Sequence, residues 1–176
     1  MLNETALKIL HAFWFIAPAY AANAFPPLLK GKHPLDFGKT LGRYRILGDG
    51  KTIEGSVGGI AFGMFIGLVE IYCIYPVVPP EFNLPELSLP LVFLLSSGAI
   101  TGDIFVSFIK RRLGIKRGAS MPILDQLDFL LGALIFSSLA VRHEVAIVFI
   151  LIVFTPLIHV LANTLGYVLR IKKVPY

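Results

Sequence analysis

The chain has 176 residues, 56% of them hydrophobic, with a mean hydropathy of +0.77; one water-soluble core of this size cannot hide so much apolar surface, which excludes an ordinary soluble domain. A lone cysteine, Cys73, excludes an internal disulfide and a zinc–thiolate centre. The formal net charge of +5 is concentrated, because 14 of the 16 Lys and Arg lie in Lys30–Lys51, Lys110–Arg117 and Arg170–Lys173.

Five apolar runs can each supply the roughly 20 residues that a bilayer crossing demands, about Thr5–Phe25, Gly55–Val78, Leu87–Ile109, Ile123–Val141 and Val145–Leu169. The expected fold is an all-α integral membrane protein with about five transmembrane helices, a single membrane-embedded domain over residues 1–176. The first run contains Ala-Tyr-Ala and Ala-Asn-Ala-Phe, small-residue patterns of the kind cleaved from leaders. Its cations follow the apolar stretch instead of preceding it, so it is read as a retained first span.

The loop after it, about residues 26–54, is rich in Gly, Pro and cations. Its last part, GDGKTIEGSVGG from Gly48, has a phosphate-loop flavour. A Walker A motif needs a glycine where Arg45 stands, so that match fails. What remains is Gly48 and Gly50 allowing close backbone approach, Lys51 as a point charge and Thr52 as a hydroxyl, all at the mouth of the second span. Gly55, Gly58 and Gly59 then open a helix whose amides can face an anion, or else whose glycines pack against neighbouring helices.

Glu70 sits about 24 Å along that second helix from Glu54. It is expected to be protonated or paired with the fifth span, through His159 or Asn163, and not to take part in chemistry. The next loop, Pro79–Pro90, carries Glu81 and Glu86 but no cation. The positive-inside rule therefore places the N-terminus outside and the C-terminus in the cytosol, with the basic loops near 26–54 and 110–122 on the cytosolic side. In the fifth span, Thr155-Pro156 predicts a kink.

The third and fourth spans carry the stronger signal. Asp103, Ser107 and Lys110 share one helix face, and Asp103 lies about 10 Å below the helix end. Asp125 and Asp128 share a face at i, i+3 in the next helix. A carboxylate at such depth is costly unless paired or metal-bound. Either of the last two alone would be an ordinary residue for a helix start, since Pro122 marks one. Three converging carboxylates need a cation, and hard oxygen ligands of this kind select Mg2+, which usually completes its shell with waters and substrate phosphates.

At these residues the sequence resembles a known family. DGKTIEG is similar to the Lys-Thr-x-Glu-Gly element of the CTP:phosphatidate cytidylyltransferases. TGDIFVSFIKRRLGIKRG with ILDQLD resembles their Gly-Asp…Lys-Arg…Leu-Asp-x-x-Asp signature. The small size and the upstream YAANAFPPLL…PLDFGKT…RILGDGKT look like the archaeal branch, the CDP-archaeol synthases.

That resemblance covers nearly the whole chain and implies a reaction: CTP and an isoprenoid ether-lipid phosphate, 2,3-di-O-geranylgeranylglyceryl phosphate, give CDP-archaeol and pyrophosphate. It implies Asp103, Asp125 and Asp128 as Mg2+ ligands, with Lys51 beside them in catalysis. Asn23, Asp49, Gly50, Lys51 and Thr52 would contact the nucleotide, and Lys110, Arg111 and Lys116 would neutralise phosphate. The expected partners are CTP, the lipid phosphate and the bilayer, with no nucleic acid; a homodimer stays open. The competing readings are a cytidylyltransferase for another lipid, a CDP-alcohol phosphotransferase-like enzyme, a small transporter and a membrane scaffold.

Overall fold

A computed structural model describes residues 3–115, 119 and 121–168, without the side chains of residues 122, 159, 162, 163, 165, 166 and 168. Five long helices lie along the chain: α1 (Glu4–Ala24), α3 (Ile53–Val69), α4 (Leu89–Arg112), α5 (Pro122–Ser137) and α6 (Val145–Val168); a short α2 (Pro26–Leu29) follows α1. The expectation of helix throughout needs one amendment. The loop before α3 contains an antiparallel hairpin, β1 (Thr40–Leu41) and β2 (Tyr44–Arg45), in which Thr40 pairs with Arg45 and Leu41 with Tyr44. Gly42 turns it at φ +64°, in the left-handed region that glycine adopts without strain.

The helix starts follow local chemistry. Asn3 caps α1 by accepting from the Ala6 amide at 2.8 Å, and Thr52 caps α3 by accepting from Gly55 at 3.1 Å. Ser88 starts α4, with a proline in its first turn, and Pro122 opens α5. At the end of α4, Gly114 adopts φ +72° and the Ile115 amide returns to the Lys110 carbonyl at 2.9 Å, satisfying carbonyls the last turn leaves open. Lys110, Arg111 and Arg112 stand in that last turn, where cations suit the helix dipole.

Two spans differ in their ends from the sequence expectation. The second is not one regular helix to Val78: after Val69 it widens into a π turn at Glu70–Ile74 and tightens into a 3-10 turn at Tyr75–Val77. Pro76 has no N–H to donate, so the regular ladder cannot continue through it. The fourth ends at Ser137, short of Val141, where the Ser137 and Ser138 hydroxyls donate back to the Ala133 and Ile135 carbonyls at 2.7 and 2.6 Å.

Helix α1 touches each of α3, α4, α5 and α6, and α4 packs most extensively on α5. The core runs along these contacts: Ala12, Ile16, Ala19 and Ala22 from α1, Val92, Leu95 and Ala99 from α4, Phe129, Leu130 and Ala133 from α5, and Leu151 from α6. Small residues set the spacing. Gly55, Gly59, Gly63 and Gly67 form the buried stripe of α3, so these glycines serve helix packing. Large apolar side chains meanwhile face outward, among them Phe65, Tyr72, Phe93, Phe105, Ile135 and Phe149. Two stretches, Ile53–Val77 and Leu89–Arg112, are long and apolar enough to cross a membrane, and most of each is not buried inside the protein.

Glu70 is buried, and one of its carboxylate oxygens has no hydrogen-bond partner among the described residues. The side chains of His159 and Asn163, the partners expected for it, lie outside the described set. Pro156 lies inside α6, beside a buried Thr155 whose hydroxyl accepts from Tyr20 at 2.7 Å.

Candidate active site

The crossing of α4 and α5 is made by backbone contact. A Cβ added to Gly102 would meet the Asp128 carbonyl at 2.2 Å, and one added to Gly132 would meet the Gly98 carbonyl at 2.2 Å. Such an approach tolerates only glycine on both helices. It has a direct consequence for the acids, since Asp103 adjoins Gly102 and Asp128 supplies the facing carbonyl.

Asp128 is 6% exposed and lies within electrostatic range of Asp103, Lys51 and Asp125. Its carboxylate also accepts from the Phe129 amide at 2.6 Å. The Lys51 ammonium, from the loop entering α3, donates to the Asp103 carboxylate. The Lys110 ammonium at the end of α4 donates to both oxygens of Asp125, at 2.9 and 2.8 Å. Asp125 in turn accepts from the Met121 amide at 2.9 Å, which ties it to the first turn of α5. Both ion pairs are partly exposed: the Lys51 and Asp103 side chains retain 23% each, Lys110 retains 12% and Asp125 29%. Three carboxylates and two ammonium groups from the α3 entry, α4 and α5 therefore occupy one end of the bundle.

The donor set matches a hard divalent ion in kind: three carboxylates, partly open to solvent. Among the described residues, no three His, Cys, Asp or Glu are already drawn together as a metal cage. Asp103 and Asp125 are each paired with an ammonium group instead, and Asp128 accepts from the Phe129 amide.

The other residues singled out in the sequence fall into four groups. Asp49 pairs with Arg45 at 2.9 Å, and Gly50 is exposed beside it. The Thr52 hydroxyl is engaged in capping α3 and is largely buried, and Arg111 donates to the Ile115 carbonyl at 2.5 Å, bracing the end of α4. Asn23, near the end of α1, is half-buried and makes no side-chain hydrogen bond to a described residue. Lys116 lies outside the described residues.

Sequence reasoning missed the framework that holds Lys51. Asp36 lies fully enclosed in the loop and binds the Arg45 guanidinium at 2.6 and 3.1 Å. Glu54 accepts from the Lys32 and His33 amides at 3.2 Å each and from the His33 ring at 2.5 Å, tying the loop back to α3. Arg112 donates to the carbonyls of Leu41 and Arg45 at 2.6 Å, and of Tyr44 at 3.3 Å, fastening the hairpin to α4. The signal for Asp36 was present: Asp-Phe-Gly is an Asx-turn sequence, and the Gly38 amide does return to Asp36 at 3.1 Å. Arg112, by contrast, reads in the sequence as one more cation in a basic loop.

The chain as a whole is similar to known proteins. A CDP-archaeol synthase from Methanococcoides burtonii is 42% identical over 174 residues, spanning 90% of this chain and 99% of its own length. One from Pyrococcus horikoshii is 45% identical over 171 residues, spanning 96% of this chain and 98% of its own. A solved structure, described as an intramembrane enzyme for archaeal membrane lipids biosynthesis, matches with a TM-score of 0.76 and 38% identity over 88% of this chain and 94% of that one. The family model for CarS-like CDP-archaeol synthases matches residues 6–176, and the chain belongs to that family.

Proposed function

We propose that this chain is a CDP-archaeol synthase, a membrane nucleotidyltransferase that joins CTP to 2,3-di-O-geranylgeranylglyceryl phosphate and releases pyrophosphate. The observation that carries the reading is the meeting of Asp103, Asp125 and Asp128 with Lys51 and Lys110 at one end of an apolar bundle, in a chain of that family.

The reaction is a displacement at phosphorus. An oxygen of the lipid phosphate attacks the α-phosphorus of CTP, the bond to the β-phosphate oxygen breaks, and pyrophosphate leaves with that electron pair. The lipid phosphate has a second pKa of about 6, so the nucleophile is already an anion at neutral pH and no general base is required. The difficulty is to bring one anion up to another. Lys51 and Lys110 answer it, because each ammonium has three N–H donors and can hold a carboxylate and a phosphate oxygen together. Fixed cations of this kind favour the charge that develops on the leaving group.

Asp103, Asp125 and Asp128 are the residues that would hold Mg2+, which supplies further neutralisation of the polyphosphate when bound. Asp49, Gly50 and Thr52, next to Lys51, would border the nucleotide. The outward apolar faces of α3 and α4 would leave the isoprenoid chains in the bilayer while the phosphate reaches the helix ends.

The charge pattern supports five crossings with the N-terminus outside and the site on the cytosolic face. The loop entering α3 and the end of α4 are both basic, whereas the α3–α4 connection has only acids. A transporter would spread polar groups through the bilayer depth; the paired acids here gather at one end.

The test is product formation. Purified protein with Mg2+, CTP and a dialkylglyceryl phosphate is expected to yield CDP-lipid and pyrophosphate, with ATP and GTP run in parallel. Absence of CDP-lipid from a folded, detergent-soluble preparation would remove the proposal.

A further inference from the structure

The loop between α2 and α3 contains a carboxylate with no exposed side-chain surface, Asp36. It accepts five hydrogen bonds: two from Arg45, at 2.6 and 3.1 Å, and one each from the amides of Gly38, Leu47 and Gly48, at 3.1, 3.0 and 2.8 Å. An enclosed anion with its lone pairs so fully used is a fixed point for the surrounding backbone.

What it fixes is the approach to Lys51. Gly48 is held at φ +87°, in the left-handed region, and its amide is one of the Asp36 donors. Three residues on, the Lys51 amide turns back to the Gly48 carbonyl at 3.4 Å, and the Lys51 carbonyl accepts from Leu35, the neighbour of Asp36, at 2.8 Å. Lys51 is thus gripped on both sides by residues that Asp36 or its neighbour secures. The circuit closes through α4. Arg45 gives its guanidinium to Asp36 and its carbonyl to Arg112, and Arg112 is on the helix that carries Asp103, the partner of Lys51. The loop is thus joined to α4 at two places, by Arg112 on the Arg45 carbonyl and by Lys51 on Asp103, and Asp36 holds Arg45 on the loop side.

We propose that Asp36 is a positioning residue for the nucleotide: it touches no reacting atom, and it sets the Lys51 ammonium against the carboxylate cluster through Arg45 and the Gly48 turn. The proposal rests on the functional reading above and adds to it a residue, a path and a substrate, because the loop serves CTP and not the lipid.

Two measurements on the full-length protein test it. In the kinetic one, Asp36→Asn is expected to raise KM for CTP about tenfold, equivalent to about 1.4 kcal/mol, while KM for the lipid phosphate stays within about twofold. Arg45→Gln should raise the same KM, and the double variant should show less than the product of the two single effects, because the two residues share one contact while Asp36 also holds three amides. A loss confined to kcat in parallel with a lower melting midpoint, or equal rises in both KM values, would overturn the proposal. The second measurement needs no turnover. In a Cys73→Ser background, Lys51→Cys with Asp103→Cys is treated with a short bis-thiosulfonate reagent and the cross-linked peptides are quantified by mass spectrometry. Adding Asp36→Asn should lower the yield severalfold; an unchanged yield overturns the positioning role. If wild-type protein makes no CDP-lipid, the functional reading falls, and the cross-link still decides whether Asp36 places Lys51.

Discussion

Asp103 and Asp125 each carry a lysine on a carboxylate near the buried Asp128. Changing either to Asn keeps shape and removes the charge that binds its lysine and would help to bind Mg2+. Asp103→Asn and Asp125→Asn are each expected to cut turnover by about 10²–10³-fold, in the range seen when one fixed electrostatic stabiliser is lost. Helical content by circular dichroism should be retained, because neither residue is in the apolar core. Asp36 makes a prediction in pH. The Arg45 guanidinium, aided by the Gly48, Leu47 and Gly38 amides and opposed by burial, holds its carboxyl well below the usual carboxylate range. A carboxyl depressed in the folded state stabilises it fully above its unfolded value of about 3.9 and loses that contribution as pH falls towards the folded value. The melting-midpoint gap between wild type and Asp36→Asn should therefore be constant above about pH 5 and narrow below about pH 4. Asp103, Asp125 and Asp128 stood out in the sequence as acids in or beside apolar runs, and Lys51 as a cation among glycines at the mouth of a span. Arg45 and Arg112 did not, and for Asp36 only the Asp-Phe-Gly turn did, since a structural charge in a basic loop looks the same as a solvated one until its partners are known.

Among the elements, the five long helices could be read from apolar runs, and the start of α5 from Pro122; the caps Asn3, Thr52 and Ser88 emerged only with the structure. Two further features escaped that reading. The π turn at Glu70–Ile74 depends on how the chain accommodates Pro76 within the packed bundle, which composition does not reveal. The hairpin at Thr40–Arg45 is only two residues a side and is held by Arg112 across a long sequence separation. The α4–α5 crossing offers the sharpest test at this scale. Gly102→Ala would place a Cβ 2.2 Å from the Asp128 carbonyl, so the helices must separate beside the acids. The expected cost is about 1–3 kcal/mol of stability, with turnover lost as well. Thermal unfolding in detergent measures the first and CDP-lipid formation the second; wild-type values for both would mean that the close crossing has no part in building the site.

For the molecule as a whole, the sequence and the fold converge on a mostly helical membrane enzyme of the CarS-like family. The clustering of 14 of 16 cations into three segments is what carries the expectation of a cytosolic side. The choice of cytosine was not readable that way: no residue pattern in the loop specifies a base, and it enters only through the family. Joining CTP to a lipid phosphate is therefore the claim to test most directly, by following the phosphorus. Wild-type protein in liposomes containing the dialkylglyceryl phosphate and Mg2+ is given CTP radiolabelled at either the α- or the γ-phosphate. The α label should appear in the lipid and the γ label only in pyrophosphate, with Asp103→Asn transferring neither. Label from the γ position in the lipid, or α-label transfer by Asp103→Asn equal to wild type, would contradict the proposed chemistry and the site assigned to it.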